Sequence, residues 1–138
     1  MSPKTSPDIY VRPPRKPDRR VVVTGIGMLT PIGLNTEESW KNALAGVSGI
    51  DRITQFDPTG FDVQFAGEVK GFDANLYIEK KEQKKMDRFI HFAMACAEMA
   101  MKDSGLTMTE ELGDRAGCLV GVGIGGLGAI ENTHKTLM

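Results

Sequence analysis

A chain of 138 residues has the length of one domain, and with 41% hydrophobic and 25% charged residues its composition is that of an ordinary globular protein. Its net charge of −1 gives no overall field that would attract nucleic acid or a membrane surface, and no apolar run is long enough to span a bilayer. The two cysteines lack metal-type spacing, which indicates free thiols, a reducing compartment and a cytoplasmic protein.

Residues 1–18 differ from the rest of the chain. Five of the seven prolines fall there, and basic residues outnumber acidic ones. This composition predicts a disordered, basic, proline-rich leader, or translation that begins downstream of the assigned start. An organelle transit peptide is a third interpretation, but Asp8, Asp18 and the lack of a basic amphipathic helix count against it.

A β-branched run predicts the first buried strand, at about Arg20–Thr24, followed by a tight glycine turn. A short helix should come next. Asn35 is its expected N-cap, with Glu38 closing a capping box, and Gly46 is its expected end.

That helix has an apolar pair, Trp40 and Leu44, four residues apart, and the spacing predicts that both are buried on one face. Residues 49–69 show no regular period and predict an irregular segment with one short strand, Phe65–Val69.

A long helix is predicted over about Lys81–Asp103, ended by Gly105. Its apolar residues recur every three or four positions and form one stripe: Met86, Phe89, Ile90, Ala93, Cys96, Ala97, Ala100 and Met101. Small residues dominate the second half of the stripe, so another element should approach closely there.

The remaining pattern predicts one helical turn at Thr109–Leu112, a second core strand at Arg115–Val122 and a final helix over Ile130–Met138. Since the second strand lacks polar alternation after Gly117, both faces of its sheet should be covered. Alternating strands and helices indicate an α/β fold, residues 19–138 being its ordered part.

The glycine-rich segment after that strand, Gly121-Val122-Gly123-Ile124-Gly125-Gly126, formally satisfies the dinucleotide-binding pattern GxGxxG. That fingerprint also needs an acidic residue about 20 positions further on, at the end of another strand. Only 12 residues follow Gly126, so the match is weak. Close backbone packing at a strand end explains the glycines equally well, with Ile124 as a core residue.

A basic cluster lies at the start of the long helix: Lys80, Lys81, Lys84, Lys85 and Arg88. On a helix, Lys81, Lys84, Lys85 and Arg88 would form one positive edge, which is either a solvated face or a docking surface for an acidic partner. His91, His134, Cys96 and Cys118 have no spacing typical of a triad or a metal site, and both cysteines are interpreted as small buried hydrophobic residues.

Three segments in this order, Arg19–Gly33, Lys80–Phe89 and Gly117–Gly128, resemble the N-terminal part of the β-ketoacyl-acyl-carrier-protein synthases, closest to the type II condensing enzymes of fatty-acid synthesis. The resemblance implies a thiolase-like fold, of which this chain would be the opening portion of the first half, an incomplete mixed sheet with covering helices. It also implies a docking role for Lys81, Lys84 and Lys85 toward acyl carrier protein, and an acyl-pocket role for Ile124.

Family members form a thioester on a cysteine, decarboxylate a malonyl unit on the carrier protein and join the two, assisted by two histidines. The resemblance places the cysteine and both histidines beyond Met138, so the 138-residue chain alone is expected to be inactive. No metal or separate cofactor is implied, because the carrier's phosphopantetheine arm delivers the substrates, and the complete enzyme is expected to be a homodimer. A non-catalytic carrier-binding module, a type I enzyme, and a polyketide-type synthase or its inactive chain-length partner are the alternatives.

Overall fold

The computed structural model describes residues 20–138, so the predicted leader at 1–18 lies outside the described residues. In chain order the elements are α1 (Thr36–Leu44), β1 (Ile50–Arg52), β2 (Phe65–Gly67), a 3-10 helix (Ala74–Leu76), α2 (Lys80–Gln83), α3 (Arg88–Ser104), α4 (Glu110–Gly113) and α5 (Leu127–Leu137). No helix in this part of the chain is both long enough and apolar enough to cross a membrane.

Helix α1 has the Asn35 N-cap that the sequence predicts, but Glu38 does not close the predicted capping box, because its carboxylate bonds the amide one residue before Asn35. The Asn35 side chain accepts a hydrogen bond from the Glu38 amide at 2.8 Å, and the Glu38 carboxylate accepts one from the Leu34 amide at 2.8 Å. Gly46 follows the helix with φ +70, a conformation that glycine adopts without strain. The prediction for its buried face is wrong: Trp40 is 65% and Leu44 71% exposed.

Ser39 is the α1 residue that is buried, because this helix packs its small polar side against the preceding turn. Its hydroxyl donates to the Gly33 carbonyl at 3.2 Å and lies 2.9 Å from the Thr30 hydroxyl. Gly33 is itself buried, and a Cβ added there would overlap the backbone and the hydroxyl of Ser39 at separations that real side chains avoid.

The only sheet within residues 20–138 is a two-stranded antiparallel pair, with Ile50 opposite Gly67 and Arg52 opposite Phe65. The sequence predicts β2, though two residues too long, and misses β1. The predicted core strands at Arg20–Thr24 and Arg115–Val122 are not strands, and the mixed sheet they would build is absent from this part of the chain. A strand requires a hydrogen-bonded neighbour, and these segments have none here: Val21 is 94% and Leu119 98% exposed.

The predicted long helix is divided into α2 and α3. Asp87 separates them with an extended backbone (φ −81, ψ 161), and its side chain caps α3 at the Arg88 amide. The C-terminal end is as predicted, with Gly105 in the left-handed region at φ +64. Helix α4 begins one residue later than predicted, because Thr109 is its N-cap, and α5 begins three residues earlier, at Leu127.

Close packing occurs along α3, where Ala95 is fully buried. The predicted close approach is confirmed: a Cβ on Gly27 would overlap the carbonyl oxygen of Cys96, and one on Gly25 would overlap that of Ala100. The Ile26 amide, between these glycines, donates to Asp103 at 2.9 Å. Backbone-to-helix packing therefore joins the glycine turn to the second half of α3.

Candidate functional site

The predicted docking lysines lie on α2 and on the turn that links it to α3, here called the lysine turn (residues 80–86). Lys81, Lys84 and Lys85 are all exposed. The sequence predicts that they form one edge of a continuous helix, and this prediction is wrong. Helix α2 ends at Gln83, and the chain continues as a turn in which the Lys85 amide donates to Glu82 and the Met86 amide to Gln83. The three lysines therefore lie on a short helix and on the turn that follows it.

The charge of this turn is only partly balanced. The Lys85 ammonium pairs with the Glu82 carboxylate at 2.7 Å, with both side chains substantially exposed. Among the described residues, Lys81 and Lys84 form no ion pair within 4.0 Å. These two ammonium groups are available to an acidic surface. Lys85 would have to leave the Glu82 carboxylate before it could pair with a carboxylate of a partner.

Arg88 is exposed like the lysines, but its guanidinium is engaged in contacts within the chain. Its guanidinium donates to the Val69 carbonyl at 2.7 Å and lies 5.2 Å from the Phe92 ring centroid, within cation–π range. It connects α3 to the segment after β2. Arg88 therefore makes a structural contact at the surface, whereas Lys81 and Lys84 form no ion pair among the described residues.

The lysine turn is held from beneath by Gln83, whose role the sequence gives no sign of. The Gln83 side-chain amide donates to the Ile78 carbonyl at 2.7 Å and to Asn75 at 3.1 Å, while its backbone carbonyl lies 3.3 Å from His91 Nε2. Ile78 is 6% exposed. A buried residue and a short polar network thus fix the base of the turn while its lysines remain in solvent.

The segment that carries Ile124 is an exposed loop (residues 121–126), here called the glycine loop. Ile124 is 80% exposed, so within the described residues it lines no closed pocket. Gly125 (φ +51) and Gly126 (φ +56) then turn the chain into α5. The Phe89 ring lies against both, 3.5 and 3.7 Å from the positions a Cβ would take.

The glycine loop does not offer a nucleotide site. In a dinucleotide-binding loop the free amides at the start of the following helix hold the pyrophosphate. Here the Ala129 amide, in the first turn of α5, donates instead to the Asp87 carboxylate at 3.1 Å. A negative charge already occupies that position, and it would repel a phosphate.

An apolar groove of about 560 Å³ runs between α3 and the unpaired segment before the glycine loop. Its lining consists of Leu29, Phe89, Phe92, Ala93, Cys96, Ala97 and residues 118–122. Cys96 is half-buried, and desolvation raises the pKa of its thiol. Cys118 is exposed, so its predicted burial is wrong; the strand that would have buried it has no neighbour here.

Within residues 20–138 no cluster of three or more His, Cys, Asp and Glu side chains could hold a metal ion. His91 contacts the backbone of Gln83 rather than a nucleophile. The lysine turn presents exposed cations, and Asp87 links it to α5, the helix that follows the exposed glycine loop.

Most of this chain matches known proteins. The model of the β-ketoacyl synthase N-terminal domain matches residues 18–137. The 3-oxoacyl-[acyl-carrier-protein] synthase 2 of Vibrio cholerae is 52% identical over 120 residues, which are 87% of this chain and 29% of that protein. The protein of the same name from Staphylococcus aureus (strain COL) is 46% identical over 121 residues, 88% of this chain and 29% of that protein.

Among solved structures, the ishigamide ketosynthase/chain length factor superposes with a TM-score of 0.59 and 42% identity, covering 64% of this chain and 22% of that chain. In each case the matched region is less than a third of the length of the other protein.

Proposed function

This chain belongs to the β-ketoacyl synthase family, whose N-terminal domain it matches over residues 18–137, and we propose that it is part of a 3-oxoacyl-[acyl-carrier-protein] synthase II. Such an enzyme elongates acyl chains in fatty-acid biosynthesis by decarboxylative condensation with malonyl-acyl-carrier protein. The observation that carries the proposal is 52% identity to a synthase 2 across 87% of the chain.

In this proposal acyl carrier protein is the partner, and its phosphopantetheine arm brings both substrates without a further cofactor. Lys81, Lys84 and Lys85 receive its acidic surface. Their exposure and the partly unbalanced charge of the lysine turn support this role. Rim charges of this kind mainly raise the association rate and make binding sensitive to salt.

Ile124 is proposed to limit the depth of the acyl pocket. It is a bulky apolar side chain on a loop otherwise rich in glycine, and its 80% exposure leaves most of its surface available to an acyl chain or to further protein. The thiolase-like architecture of the whole enzyme, its homodimer and its cytoplasmic location belong to the same proposal. Exposed apolar residues on the segments at 21–23 and 119–124 provide surface that such an assembly would cover.

No residue of this chain is proposed as the nucleophile or as either catalytic histidine. Incubated with acyl- and malonyl-loaded carrier protein, the 138-residue chain is expected to form no condensation product above background. Measurable product from this chain would refute the assignment of catalysis to residues outside it.

Carrier docking is tested by titrating the chain with acyl carrier protein at two salt concentrations. Reversing Lys81 and Lys84 to glutamate should weaken binding about fivefold per residue, since an exposed ion pair contributes up to about 1 kcal/mol. The matched control is Lys41→Glu, an exposed lysine on α1. Equal losses in control and test variants, or binding that ignores salt, would overturn the docking assignment.

A second candidate is the inactive chain-length partner of a polyketide-type synthase, favoured by the solved relative whose name includes a chain length factor. The two candidates differ in acyl-enzyme formation. When the native protein from its source is incubated with acyl-loaded carrier protein, the acyl group of a synthase's substrate passes from the carrier's thioester to the active cysteine, the carrier thiol is released, and the protein gains the mass of one acyl group per active cysteine. A chain-length partner, or a carrier-binding module, gains none.

A further inference from the structure

The carboxylate of Asp87 contacts two parts of the chain that are far apart in sequence. One oxygen accepts the Arg88 amide at 2.6 Å and caps α3. The other accepts the Ala129 amide at 3.1 Å, 42 residues further along, in the first turn of α5. One side chain therefore fixes the start of both helices.

The two helix starts carry the two proposed recognition elements. The lysine turn ends at Met86, directly before Asp87, and the glycine loop ends at Gly126, directly before α5. The turn and the first turns of α5 also share one cleft of about 290 Å³, lined by Lys84, Lys85, Met86, Asp87, Gly128, Ala129 and Asn132. Movement at the lysine turn would therefore reach α5 through direct neighbours.

The glycine loop needs such an anchor. Gly125 and Gly126 both adopt positive φ, where glycine has wide conformational freedom, so their own backbone does not select one course for the loop. Two contacts hold this end of the loop within the described residues. The Phe89 ring packs against Gly125 and Gly126, and the Ala129 amide donates a hydrogen bond to Asp87. Loss of that bond should release the loop and Ile124 with it.

We propose that Asp87 is a positioning residue that holds the Ile124 loop in register with the lysine turn, and so links carrier-protein docking to acyl-chain selection. This inference rests on the proposed function for the roles of Ile124 and the lysines. The juxtaposition that supports it, one carboxylate shared by the two helix starts, is independent of that function.

The direct test uses amide hydrogen exchange on the 138-residue chain. In Asp87→Asn the amide side chain keeps one oxygen to cap α3, since asparagine is as good an N-cap as aspartate, but it offers an NH2 group where Ala129 needs an acceptor. We expect exchange at Ala129 and Ile130 to rise about fivefold or more while the α3 amides are unchanged. The matched control is Asp73→Asn, another N-cap aspartate, which caps the 3-10 helix.

A second variant protects the test against a folding failure. Ala129→Pro removes the donor instead of the acceptor, and proline is tolerated in the first turn of a helix. It leaves Asp87 free to cap α3, so faster exchange at Ile130, whose amide bonds the Gly126 carbonyl, is again expected. If neither variant changes exchange in the glycine loop and α5, Asp87 does not hold the loop, whatever the protein catalyses.

The link to selectivity is tested in the native enzyme by comparing turnover of short and long acyl substrates. Asp87→Asn should change the ratio of the two rates about threefold or more, and this change should vanish in an Ile124→Ala background, because coupled residues are not additive. If the effects of Asp87→Asn and Ile124→Ala on the ratio are additive, or if the ratio is unchanged while turnover is intact, Asp87 does not link docking to selection. Either result leaves the proposed function standing. Absence of condensation in the unsubstituted native enzyme would instead overturn the proposed function.

Discussion

Replacing Gly27 with alanine tests the packing of the glycine turn on α3. The new Cβ would overlap the Cys96 carbonyl oxygen and stand 2.9 Å from the Ala100 amide nitrogen. Carbon atoms pack at about 3.5–4.0 Å. Because the obstructing atoms are helix backbone, they cannot rotate away as the end of a side chain could.

The expected cost follows from two opposing terms. Overpacking a close contact destabilises by about 1–3 kcal/mol. Alanine also restricts the unfolded chain, which stabilises the fold by about 0.4–1 kcal/mol. The difference leaves a net loss of about 1–2 kcal/mol, or roughly a tenfold shift of the folding equilibrium toward the unfolded state.

Urea denaturation followed by circular dichroism measures this loss as a lower transition midpoint. The control is Gly113→Ala: Gly113 ends α4, and a Cβ there would meet nothing within 4 Å. That variant should be neutral or more stable than the wild type, because alanine favours the helix by up to about 1 kcal/mol. If Gly27→Ala unfolds at the same urea concentration as Gly113→Ala, or above it, the close approach to α3 does not exist.

Three further results are expected. Asn35→Ala should lower stability by about 1 kcal/mol through loss of the α1 cap, measured by thermal melting, and a melt equal to the wild type would contradict it. Hydrogen bonds from Thr54 hold the pKa of Glu68 below its ordinary value of 4.5. The contribution of Glu68 to the stability of the fold is therefore complete above pH 4.5 and is lost as the pH falls through the lower pKa of the folded state. Glu68→Gln should therefore flatten the dependence of stability on pH below 4.5, and an unaltered slope would refute this. Iodoacetamide should alkylate the exposed Cys118 faster than Cys96, whose thiol is half-buried with a raised pKa, and equal rates by peptide mass mapping would count against the structure.

Two residues show why part of the candidate site could not be found from the sequence. The Asp87 cap interrupts an unbroken helical period, because local backbone geometry prevails over apolar spacing when a side chain satisfies the next amide. Its bond to Ala129 joins positions 42 residues apart, and no local pattern signals such a contact. Arg88 looks like another member of the basic cluster, yet the chain folds its guanidinium onto Val69 and Phe92.

The sequence alone determined the features that depend on a few neighbouring residues: the Asn35 cap, the Gly105 helix end, the small-residue half of α3 and the motifs that identify the family. The tertiary structure decided the rest. Val21–Val23 and Leu119 are apolar enough for a core, but they are exposed, since burial and strand pairing need a partner surface that a segment's own composition cannot supply. A hydrogen bond between neighbouring residues can be predicted from those residues alone. A strand pair, a buried face or the bond from Ala129 to Asp87 forms only when segments distant in sequence come together.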